Sequence, residues 1–192
     1  GGYVHLRSGA SSSVGSSGAI EAGSQSSAKS GSTTLRSGDA TSLSSGQITM
    51  STGTSAAASG NVFFAAGNIK EGNAGSVYLE AGSSEIRKGG DVAILSGSST
   101  TKSSGSIRVF SSGAEAGLSG NVDLITGQAG GASSGAITAS VGSSLAADGG
   151  DVVISAGSTK SDQEGGSVHL QSGRSSQQTG GFVILNSGSG TS

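Results

Sequence analysis

Glycines return along this chain every fifteen residues or so, and the same short apolar motif follows each of them. Thirteen units open at Gly2, Gly18, Gly31, Gly46, Gly60, Gly75, Gly90, Gly105, Gly120, Gly135, Gly150, Gly166 and Gly181. Their consensus is G-x-V-x-L-x-S-G followed by a polar stretch, as in GSVYLEAG, GDVAILSG and GSVHLQSG. A fixed period of this size marks arrays of stacked units rather than a single globular core.

Within a unit the third and fifth positions are apolar. The third holds Val4, Ile48, Val62, Val77, Val92, Ile107, Val122, Val152, Val168 and Val183, and the fifth holds Leu6, Phe64, Leu79, Ile94, Val109, Leu124, Ile154, Leu170 and Leu185. Alternation with a period of two is the pattern of a strand with one buried face, so these rows are the expected core. The seventh position is nearly always Ser, Ala or Thr, small enough to end that face near a turn. Gly opens each unit and closes each strand, and because it adopts positive φ without steric cost, the flanking glycines read as corners. Variation in length is confined largely to the polar loops between closing and opening glycines.

This period has to overcome an adverse composition. With 37 glycines and 45 serines among 192 residues, a chain without periodicity would be read as disordered, since it lacks the apolar surface to offset the entropy of ordering. Periodicity decides the reading in favour of an all-β parallel solenoid that forms one tandem-repeat domain over residues 1–192. Two stackings are compatible with the pattern. Two units per turn would set Val and Leu rows of one flat sheet against those of another. One unit per turn would require an inward row within the loops, which instead scatter charges such as Glu85, Arg87, Lys102 and Lys160 and would bury them without partners. The two-sheet form is therefore preferred.

The outward positions break the expected polarity. Phe63 and Tyr78 occupy the fourth position, Leu95, Phe110 and Ile125 the sixth, and Val153 and Ile184 repeat the pattern near the C-terminus. Isolated surface apolar residues are ordinary, but rows of them mark a contact surface, so these seven are the candidate lateral interface. The partner they imply is another copy of the chain, in a homo-oligomer or filament.

Chemistry-bearing motifs are sparse. His5 and His169 sit eleven units apart, too far to converge on a metal. The GGD at 149–151 resembles part of a calcium-binding nonapeptide, yet only Asp91 and Asp151 place an acid at the second position, and the ladder of carboxylates fails. No phosphate-binding loop with its lysine occurs, and no Ser, His and Asp set can be assembled. No catalytic, cofactor or metal residue is assigned, and the chain is expected not to be an enzyme. Ten basic and twelve acidic residues, dispersed along the chain, give no footprint for nucleic acid. The absence of cysteine excludes disulfides and thiolate metal sites, and no run reaches membrane-spanning length. The N-terminal GGYVHLRSGA has no signal-peptide character. No asparagine lies in a glycosylation sequon, which leaves O-linked glycans on the Ser/Thr loops as the candidate modification.

The G-x-V-x-L-x-S-G-S pattern, which covers essentially the whole chain, resembles the Gly/Ser-rich β-solenoid repeats of microbial cell-surface, adhesin-like and filament proteins. That resemblance implies an extracellular or cell-surface scaffold without catalytic residues. Neither end carries a cap, so the chain is expected to be a segment of a longer solenoid or to polymerise end to end. The leading functional expectation is a rigid, non-enzymatic building block of a filament, appendage or surface coat. An ice-binding solenoid is the alternative, weakened because Thr34 and Thr49 at the fourth position give way to Phe63 and Tyr78. A carbohydrate- or receptor-binding adhesin stalk, with its site near Phe63 and Tyr78, is a third.

Overall fold

A computed structural model describes residues 4–10 and 17–190. The opening Gly2 of the first unit lies outside the described residues. Among the described residues there is no helix, no strand and no sheet. The all-β solenoid expected from the repeat is thereby overturned, in its two-sheet and its one-unit-per-turn form alike, and with it the resemblance to solenoid repeats as a guide to the fold.

Accessible surface shows how open the chain is. It presents 19785 Å², against about 8,100 Å² for a compact protein of this mass and about 26,000 Å² for a fully unfolded one. No described residue is buried, polar or apolar. The rows expected as core are exposed throughout: from Ile20 onward the aliphatic third-position residues are 48–59 % exposed, and Leu79 and Leu185 at the fifth position exceed 79 %. The large apolar residues of the fifth position are 60–83 % exposed, against 73–88 % for those of the fourth. An alternating pattern states which side chains could share a face; it becomes a strand only when a neighbour accepts and donates the ladder bonds.

The chain divides into two units, residues 1–93 and 94–192. In each, straight runs over the apolar motif alternate with loops that bend three to five residues after the closing glycine, as at 85–87 in the first and 100–102, 130–132 and 145–147 in the second. The backbone bonds that recur are loop closures. The opening Gly N–H donates to the carbonyl of the preceding closing Gly: Gly18 to Gly9 at 3.2 Å and Gly90 to Gly82 at 2.8 Å in the first unit, and Gly105 to Gly97, Gly166 to Gly157 and Gly181 to Gly173 at 2.9 Å in the second.

A hydroxyl two residues beyond the closing glycine steers the tight loops that start at Gly82, Gly97, Gly157 and Gly173. Ser84 Oγ accepts the Arg87 N–H at 3.0 Å, Ser99 Oγ the Lys102 N–H at 2.9 Å, Thr159 Oγ1 the Ser161 N–H at 3.1 Å and Ser175 Oγ the Gln178 N–H at 2.8 Å. Such side-chain turns compete with regular ladders for backbone donors. Where the same place holds Gln25, Ala40, Ile69, Glu115 or Ala129, no closure forms among the described residues.

The flanking glycines also act differently from expectation. Among the described residues only Gly72, with φ of 108°, lies in the left-handed region, and it belongs to a loop interior. The opening glycines serve close approach instead. A Cβ placed on Gly18, Gly75, Gly90, Gly105 or Gly166 would stand 3.2–3.4 Å from the seventh-position side chain before it, which is Ser8, Ala66, Ala81, Ser96 or Ala156. Ser8, Ser37, Ala66, Ala81 and Ser172, all at the seventh position, are among the few residues that are even partly covered. Val141 is the bulky exception. Its γ-carbon would stand 2.8 Å from a Cβ on Gly150, and the loop 142–150 lacks the glycine closure although Ser144 Oγ accepts the Ala147 N–H at 3.0 Å.

Candidate functional site

The surface that this backbone offers is a series of solvated loops separated by exposed apolar runs. The seven residues expected to form a lateral interface, Phe63, Tyr78, Leu95, Phe110, Ile125, Val153 and Ile184, all stand exposed. In the first unit Phe63 is flanked by Val62 and Phe64; in the second, Ile184 lies within Phe182-Val183-Ile184-Leu185, four consecutive apolar residues. The third-position residues of these runs are the more covered and the outward residues the more open.

The chemistry-bearing side chains remain apart. His169 Nε2 lies 3.3 Å from Gln171 Oε1. No group of three His, Cys, Asp or Glu residues converges among the described residues. Lys88 Nζ and Asp91 Oδ2 form an ion pair at 2.8 Å, with both side chains at least 73 % exposed. A pair this open is screened by water and contributes little to stability. Asp91 therefore neutralises a loop lysine instead of taking part in a carboxylate ladder.

Concavities follow the loops. The larger, about 500 Å³ and wide open, is framed by Thr126, Gly127, Gln128, Ala129, Ala132 and Ser134. The smaller, about 290 Å³, is framed by Glu21, Gly23, Ser24 and Gln25. Binding pockets for small molecules enclose most of the ligand behind apolar walls with a few convergent polar groups. These are the hollows of loops that lack a closure, and neither has that construction. No helix among the described residues is long and apolar enough to cross a membrane.

Sequence reasoning missed the closure set: a closing glycine, a Ser or Thr two residues later, a small seventh-position residue and an opening glycine. The signal was present in the small seventh residue, which was read as the end of a buried face. It is a contact for the opening glycine of the next unit. No family model matches the chain, and no match is found among the curated proteins or the solved structures.

The filament building block, the ice-binding face and the adhesin stalk were each expected on a rigid strand scaffold. None is retained, because no strand ladder exists among the described residues to hold such a scaffold flat.

Proposed function

We propose that this chain is a non-enzymatic, extensible spacer that shortens and lengthens as its loops close and open. One observation carries the reading: loops of eight or nine residues are tied by single backbone bonds between glycines, with no buried core among the described residues. One such bond contributes about 0.5–1.5 kcal/mol net, of the same order as thermal energy, so individual closures open and re-form readily. Opening an eight-residue loop such as Gly82–Gly90 releases at most about 29 Å of chain.

Pulling single molecules in an optical trap tests this directly. Smooth, reversible lengthening at low force, without hysteresis, is the expected trace. One abrupt rip that releases most of the contour at once would show a cooperatively folded domain and end the spacer reading.

A further inference from the structure

Asp148-Gly149 is the single place in the sequence where an aspartate precedes a glycine, and no asparagine precedes one. Every other aspartate is followed by a residue with a side chain: Asp39 by Ala40, Asp91 by Val92, Asp123 by Leu124, Asp151 by Val152 and Asp162 by Gln163. The loop 142–150 leaves this pair unguarded. It has no glycine closure, and neither the Gly149 N–H nor the Asp148 carboxylate has a hydrogen bond or ion pair with another described residue. Asp148 is exposed, and beyond its chain neighbours no heavy atom lies within 4 Å of the place where a side chain on Gly149 would begin. Asp91, by contrast, is held by Lys88 Nζ at 2.8 Å and is followed by a β-branched residue. An aspartate Cγ reaches the next amide nitrogen through a five-membered ring, and glycine at that next position puts no Cβ in the way and leaves the backbone free to turn.

We infer that Asp148-Gly149 is a modification site at which the backbone rearranges by itself, through a cyclic imide, to an isoaspartyl linkage. The Gly149 nitrogen bonds to Asp148 Cγ, and the amide proton and the carboxyl hydroxyl leave together as water. A second water opens the ring. When it adds to the main-chain carbonyl of Asp148, the original peptide C–N bond breaks, the nitrogen stays on Cγ, and the chain thereafter runs through Cβ with the α-carboxylate as a side group. Addition at Cγ restores aspartate. One water is lost and one regained, so no oxidant, reductant or enzyme is needed. The inference goes beyond the spacer reading and does not rest on it.

Ageing the full chain in mildly acidic buffer, followed by peptide mapping with mass spectrometry, tests the site. The peptide that contains 148–149 should appear first one water lighter and then as a second form of the original mass, which a methyltransferase specific for isoaspartate should label. Because the loop has no closure and Asp148 no partner among the described residues, the rate in the native chain should agree with the rate in urea within about threefold. Gly149→Val should slow the rearrangement at least about tenfold through its stiff, branched side chain, and Asp148→Glu, whose longer arm would have to close a six-membered ring, should show almost none. No imide or isoaspartate at 148, equal accumulation at Asp39 or Asp162, a Val variant as fast as the original, or a native rate further below the urea rate than that would each overturn the proposal.

Discussion

Loops Gly82–Gly90 and Gly127–Gly135 have the same length and the same glycine frame, yet only the first is shut. In the first, Gly90 N–H reaches the Gly82 carbonyl, Ser84 Oγ bends the chain by accepting from Arg87, and Lys88 meets Asp91. In the second, Ala129 stands where Ser84 stands in the first, and the loop frames an open hollow. The seventh-position residues differ in the same sense: Ala81 packs so that a Cβ on Gly90 would lie 3.3 Å away, while Thr126 leaves 3.9 Å at Gly135. The glycine frame is therefore permissive. A hydroxyl at that offset accompanies closure without ensuring it: Ser55 Oγ accepts the Ala57 N–H at 3.2 Å and Ser144 Oγ the Ala147 N–H at 3.0 Å, and neither loop has a glycine closure.

The largest effect should come from abolishing the permissive element. Gly90→Val places branched methyl groups where the Gly82 N and the Ala81 Cβ already stand at 3.3 Å. The protection of the residue-90 amide against hydrogen exchange should then be lost entirely; retained protection would mean that close approach is not what glycine supplies. A smaller effect is expected from exchanging the steering group. Ala129→Ser should confer on the Gly135 amide a few-fold protection, in line with about 0.5–1 kcal/mol for one hydrogen bond, and Ser84→Ala should remove a similar amount at Gly90. If both changes leave the two amides as they were, the hydroxyl is a bystander to closure. The smallest effect belongs to the ion pair. Lys88→Gln should alter Gly90 protection by less than about 0.5 kcal/mol, and 1 M salt should erase the difference between the variant and the original chain.

What could be read in the sequence was where the loops fall, because recurring glycines and a small seventh residue are local signals with local structural outcomes. The loop bends fall three to five residues after most of the closing glycines in both halves of the chain. Val92 and Leu79 illustrate what could not be read. Their alternation is the pattern of a strand with one buried face, but burial depends on what another part of the chain brings against them, and no pattern within one unit specifies that. The hydroxyls of Ser84 and Ser99 were legible as residues and not as actors, since serine is so abundant that its position after the closing glycine does not stand out. The candidate interface was legible only as apolarity out of place.

The closures described above use only groups from adjoining positions of the repeat: a carbonyl, an amide, one hydroxyl and one small side chain. A unit can therefore be gained or lost as a block, and the junction left behind is again a closing glycine followed, one loop later, by an opening one. Copy number becomes a variable that can be altered freely, and the end-to-end reach of such a molecule is tuned by counting rather than by redesign.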